Sequence, residues 1–128
     1  MLFGTAVITG GMLIWPLINR LSRPGNEVGA LEAVQLINRR DAVVIDVRES
    51  AEYAAGHIAN ARHIPLAQFA DHLRGLEKFK SRPIIVNCRS GGRAASAAAI
   101  LRKNGFNDVF TLRGGIGAWE QASMPLEK

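Results

Sequence analysis

From residue 29 onward, short apolar runs alternate with stretches of helical period. AVVIDV at 42–47, PIIVN at 83–87 and DVFTL at 108–112 are nearly continuous apolar runs rich in β-branched residues. Strands covered on both faces read this way. Between these runs apolar residues recur three and four apart. Leu31, Val34, Leu36 and Ile37 form a stripe over residues 30–40, and Leu66, Phe69, Ala70, Leu73 and Leu76 form another over 66–76. Residues 49–55 predict a short helix ended by Gly56, and 62–65 a short strand. Residues 92–104 predict a helix of small residues closed by Gly105, which is free to take the left-handed conformation of a helix terminus. A last helix is expected over 116–122. Strands alternating with helices predict an α/β fold, one doubly wound domain over 29–128 with a central parallel sheet flanked by helices.

The beginning of the chain has a different pattern. Residues 1–19 carry no charged side chain. As a helix, residues 1–18 would reach about 27 Å, close to the thickness of a bilayer core. Trp15 stands near one end, and Arg20 and Arg23 follow. A secretory signal carries its positive charge before the apolar run and ends it at a small-residue cleavage site, and neither feature is present. The reading is a hydrophobic, membrane-anchoring helix over 1–19 and a Pro-Gly linker over 20–28. The positive-inside rule puts the remainder in the cytoplasm, as the soluble part of a single-pass inner-membrane protein. The alternatives are a buried or re-entrant segment and an uncleaved export signal.

Sixteen Lys and Arg stand against 11 Asp and Glu, a formal net charge of +5, which favours anionic lipid, nucleic acid or a small anion. No basic run exceeds two residues and aromatics are 6% of the chain, so no stacking platform for nucleic acid is expected. The single cysteine excludes an intramolecular disulfide and any CxxC motif. His57, His63 and His72 lack metal-ligand spacing, and no metal or other cofactor is expected.

That cysteine stands in CRSGGR, residues 88–93, where the second long apolar run meets the small-residue helix. In a doubly wound sheet this strand-to-helix junction lies outside the carboxyl end of the sheet, where ligands sit. Gly91 and Gly92 allow the loop to turn successive N–H groups toward one point, the following helix adds its positive end, and Arg89 and Arg93 add two fixed charges. This surrounding favours a thiolate. The catalytic candidate is therefore Cys88, with Arg89, Ser90, Gly91, Gly92 and Arg93 as the substrate-binding loop. The bland alternative is a small buried thiol without chemistry.

Two blocks resemble the rhodanese family of sulfurtransferases. DVRESAEYAAGHI at 46–58 is similar to that family's D-x-R-x-x-x-E-aromatic-x-x-G-H-I, and CRSGGR is similar to its six-residue active-site loop. LRGGIGAW at 112–119 matches its closing glycine-and-tryptophan segment. The resemblance spans about residues 28–126. After Ile58 the family often has Pro-Gly-Ala where this chain has Ala59-Asn60-Ala61.

The resemblance implies attack by Cys88 on the outer sulfur of a small anionic donor such as thiosulfate, a persulfide on Cys88, and delivery to cyanide, a cellular thiol or a protein acceptor. It also implies that Asp46, Arg48, Glu52 and His57 are mainly scaffold. Arg48 and Glu52, four residues apart, are expected to pair. Asp46 is expected to bond backbone or an arginine, Gly114 and Gly115 to make a tight turn beside the site, and Trp119 to lie in the core.

Three other functions compete. A phosphatase of related fold needs Cys-x5-Arg, and that position here is Ala94. A Cys-His-Asn protease would need His57 beside Cys88. A membrane-tethered, non-catalytic binding or regulatory domain would use the same fold without turnover.

Overall fold

The structure is a computed structural model and describes residues 26–89 and 92–128. Five strands form one parallel sheet: β1 (Glu27–Val28), β2 (Val43–Asp46), β4 (Arg62–His63), β5 (Ile84–Asn87) and β6 (Val109–Leu112), in the order β1-β6-β5-β2-β4. Every residue of β2, β5 and β6 is buried, as their uninterrupted apolar runs require. Alternate side chains divide the core between the two faces. Val43, Ile45, Val47, Val86, Cys88 and Val109 meet Phe69, Ala94, Ala97, Ala98 and Leu101 on one face. Val44, Ile85, Phe110 and Leu112 meet Ala33, Ile58, Ile116 and Trp119 on the other.

Helix α1 (Ala30–Arg40) covers the second face, and its Glu32 side chain reaches back to the Gly29 N–H. Helix α2 (Ser50–Ala55) follows β2. The chain then crosses through α3 (Leu73–Leu76) to β5, α4 (Gly92–Lys103), β6 and α5 (Gly115–Gln121). In α4 the alanines at 94, 97 and 98 are fully buried, so the absence of longer side chains brings this helix close to the sheet. Trp119 is buried and donates its indole N–H to the Pro125 carbonyl at 3.0 Å.

Three details differ from the sequence pattern. Residues 66–76 do not form one α-helix. They run as the 3-10 turns Leu66–Gln68 and Ala70–His72 before α3, with a third turn at Glu77–Phe79. The apolar stripe still faces inward, with Phe69 and Leu76 buried. Short i-to-i+3 pieces let the segment curve over the core, and Gly75 weakens the one α-turn. The second difference is at the linker. Glu27 and Val28, assigned to it, are a parallel edge strand beside Thr111 and Leu112. The third is a separate antiparallel pair, β3 (His57–Ile58) with β7 (Leu126–Glu127), which two-residue strands are too short to announce. The expected anchor at 1–19 lies outside the described residues; among those described, no helix is long and apolar enough to cross a membrane.

Candidate active site

Cys88 follows β5 directly, forms no disulfide and is buried, 1% exposed. Two backbone bonds from neighbouring elements fix its position, and a third ties the segment after β4 to the end of β2. The Val47 N–H donates to the Asn87 carbonyl at 3.0 Å, the Ile116 N–H donates to the Cys88 carbonyl at 2.9 Å, and the Leu66 N–H donates to the Val47 carbonyl at 3.2 Å. The ends of β2, β5 and β6 and the turn after β4 are thus tied together at the carboxyl edge of the sheet.

Gly115 makes the closest of these approaches. Its φ is +59°, and a Cβ there would overlap the carbonyl oxygens of Cys88 and Arg89. Only glycine fits this position, which is the tight turn expected beside the site.

Arg89 is exposed and makes no ion pair with any described residue. Gly92 opens α4, with open space where a side chain would stand. Ser90 and Gly91, the other predicted loop residues, lie outside the described residues.

Arg93 forms an ion pair. Its Nη1 donates to Glu52 Oε1 at 3.0 Å and its Nη2 to Glu52 Oε2 at 3.3 Å, a side-on pair between the first turns of α2 and α4. Glu52 Oε1 also accepts the Glu49 N–H at 2.9 Å. The Arg93 hydrogen bond first, and the Glu49 N–H second, hold the Glu52 carboxyl down at about 2. The same bond to Glu52 raises Arg93, and the charge of nearby Cys88 acts in that direction too. The guanidinium expected to face a donor anion is therefore already neutralised by a carboxylate.

Arg48 does not pair with Glu52. Its guanidinium lies against Asp46, with Nη2 to Oδ2 at 2.8 Å and Nε to Oδ1 at 3.0 Å, and Nη2 also donates to the Gly56 carbonyl at 2.7 Å. Both partners are buried. The i,i+4 rule fails because Arg48 precedes the helix, which begins at Ser50. Asn87 completes this group, donating Nδ2 to Asp46 Oδ2 at 3.3 Å, while its Oδ1 accepts no hydrogen bond from a described residue. The cluster crosslinks β2, β5 and the end of α2 beneath the site, which is a scaffold role.

His57 belongs to this scaffold as well. Its ring stacks on Tyr53 at 3.8 Å, its Nδ1 is 3.0 Å from the Tyr53 carbonyl oxygen, and Tyr53 itself packs against the core on the face of the sheet opposite Cys88. His63 stacks on the other side of Tyr53 at 4.3 Å. One ring nitrogen of each histidine meets a backbone carbonyl, His57 that of Tyr53, His63 that of Arg48 and His72 that of Gln68.

This geometry agrees with comparisons to known proteins. The rhodanese-like domain family model matches residues 30–122. Thiosulfate sulfurtransferase GlpE of Pseudomonas fluorescens is 41% identical over 88 residues, which cover 69% of this chain and 79% of that protein. Escherichia coli YibN is 40% identical over 96 residues, covering 74% of this chain and 67% of its own. Among solved structures, a rhodanese-related protein of Thermoplasma volcanium superposes with a TM-score of 0.71 at 29% identity, covering 79% of this chain and 96% of that one. The Alr3790 protein of Anabaena gives 0.70 at 30% identity, covering 78% and 79%. With a five-stranded parallel sheet, the cysteine at the end of its central strand and a family match across nearly the whole described domain, the chain belongs to the rhodanese-like domain family.

Proposed function

We propose that the protein is a sulfurtransferase that carries sulfane sulfur on Cys88. The observation that carries the reading is the placement of the only cysteine. It ends the central strand β5, four residues before the first residue of α4, with Arg89, which forms no ion pair among the described residues, beside it. Relatives about 40% identical are named thiosulfate sulfurtransferase, which supports thiosulfate as the donor.

In the first step the Cys88 thiolate attacks the outer sulfur of thiosulfate. A new S–S bond forms, the old one breaks, and sulfite departs with the electron pair. Arg89 attracts the dianion, and the amino end of α4 stabilises charge at the loop. In the second step a thiolate or cyanide attacks the outer sulfur of the persulfide, and the electron pair returns to Cys88. The transferred atom stands about 2 Å beyond Sγ, so the persulfide presents sulfur further out than the buried thiol does. Two covalent half-reactions give ping-pong kinetics. Residues 1–19 are assigned as the membrane anchor, with the domain on the cytoplasmic side of the inner membrane and the acceptor a thiol or protein.

A second reading, a tethered binding domain without turnover, draws on the burial of Cys88 and the neutralisation of Arg93. Intact-protein mass spectrometry after brief exposure to thiosulfate separates the two. A gain of one sulfur atom, lost on adding cyanide and absent in Cys88→Ser, supports the transferase. No gain with thiosulfate or with glutathione persulfide leaves the binding domain.

A further inference from the structure

The sheet is parallel throughout, so the molecule has two unlike poles: Cys88 stands where the strands end, and a second feature gathers where they begin. The last turn of α1 brings Arg39 and Arg40 to that second pole, and the last turn of α4 brings Arg102 and Lys103. The segment before β5 brings Lys78, Lys80 and Arg82, and β4 opens on Arg62. With the residues that flank them, these segments carry eight cations and four carboxylates, Glu27, Asp41, Glu77 and Asp108. Their surplus is four positive charges, most of the chain's formal net charge of +5.

At the centre of this pole three cations gather on one ring. The guanidinium carbons of Arg62 and Arg82 stand 4.5 and 5.2 Å from the Phe79 centroid, and Lys78 Nζ stands 5.3 Å from it. None of the three forms an ion pair with a described residue, although Arg82 Nε donates to the Asp41 carbonyl at 2.7 Å, whereas Arg40 and Lys80 nearby are paired with Asp108 and Glu77. Arg62, Arg82, Phe79, Asn60 and Asp41 line a cleft of about 260 Å³. Three unneutralised cations around one ring repel one another, and a surface bearing negative charge relieves that repulsion.

The course of the chain identifies this surface. β1 enters the sheet in the same sense as the other strands, so its first residue faces the pole where they begin. The preceding sequence includes the uncharged residues 1–19. We infer that this basic pole docks on the anionic phospholipid headgroups of the membrane that holds the anchor, with Cys88 turned away toward the aqueous phase. Cys88 follows Arg82 by six residues of largely extended chain, about 20 Å. The inference rests on reading residues 1–19 as the anchor, and it adds an orientation that an anchor alone does not impose. The attraction is electrostatic and screened by salt.

The test uses the full chain in a Cys88→Ser background with one new thiol for a fluorophore, Ser81→Cys at the basic pole or Ala67→Cys at the opposite one. Both positions are exposed. The proteins are reconstituted in vesicles of phosphatidylcholine with or without phosphatidylglycerol, containing headgroup-labelled quencher lipid. The expected result is quenching at position 81 several-fold stronger than at 67 with phosphatidylglycerol. The difference should vanish in pure phosphatidylcholine, at high salt, and in the triple variant Arg62→Gln, Lys78→Gln, Arg82→Gln. Equal quenching at 81 and 67 overturns the docking, as does insensitivity to the triple variant. Flotation with phosphatidylcholine vesicles reads the anchor separately. A chain that floats only with phosphatidylglycerol, and only with the three cations intact, retains the docking pole and loses the anchor. A chain that floats with neither loses both.

Discussion

The Glu52–Arg93 pair makes the sharpest quantitative prediction. Replacing Glu52 by Gln removes the charge and keeps the shape. A carboxyl held at about 2 against an ordinary 4.5 would be worth about 3 kcal/mol if fully buried. The two side chains are 26% and 32% exposed, and solvent screening reduces that to about 1 kcal/mol. Because the folded carboxyl titrates lower than the unfolded one, this contribution is complete above about pH 5 and is lost as the pH falls through about 2. Urea unfolding of wild type and Glu52→Gln should therefore differ by about 1 kcal/mol at pH 7 and converge near pH 2. A variant as stable as wild type at pH 7, or a gap that survives undiminished at pH 2, would refute the argument. Steady-state kinetics supplies a second readout. Freed from Glu52, Arg93 gives the loop another unneutralised cation, so KM for thiosulfate should fall, whereas Arg93→Ala should leave it near the wild-type value.

Other consequences follow from particular contacts. Arg89→Ala should raise KM for thiosulfate about three- to tenfold and flatten its dependence on ionic strength, since one cation about 6 Å from a dianion contributes about 1 kcal/mol in screened water; an unchanged salt profile would move donor recognition elsewhere. Gly115→Ala should cost at least about 2 kcal/mol in urea unfolding, because its Cβ cannot avoid the carbonyls of Cys88 and Arg89 and its φ is left-handed. Asp46→Asn leaves the buried Arg48 guanidinium without its counter-charge, and a loss near 3 kcal/mol is expected; a loss below 1 kcal/mol would mean that the Gly56 carbonyl alone suffices.

The parts of the fold legible in the sequence are those with local causes. β2, β5 and β6 are fully buried parallel strands and show it as unbroken β-branched runs. The alanines of α4 announce a helix packed close to a sheet, and Gly115 announces a turn that no other residue fits. The 66–76 segment misled because an apolar stripe records which side chains turn inward. The same stripe is satisfied by 3-10 turns that keep Phe69 and Leu76 buried. Strands β1, β3 and β7 are two residues each, and their pairing depends on partners far along the chain.

The candidate site divides along the same line. Cys88 at a strand end and Gly92 at the start of a helix are local features, legible in the sequence. The partner of Arg93 is not local. Glu52 is 41 residues away, and the two meet because β2 and β5 are neighbours and each is followed by a helix that starts at the same edge of the sheet. Spacing alone favoured Arg48, four residues from Glu52, yet Arg48 stands before the helix and turns back onto Asp46. A cation counted from a motif is therefore not yet a cation available to a substrate. Strand order decides which arginine is neutralised, and here it leaves Arg89 as the unpaired charge next to Cys88 among the described residues. The same topology governs the opposite pole, where Arg62, Lys78 and Arg82 are scattered in sequence and converge on Phe79 because the parallel sheet sets β4 and β5 on either side of β2.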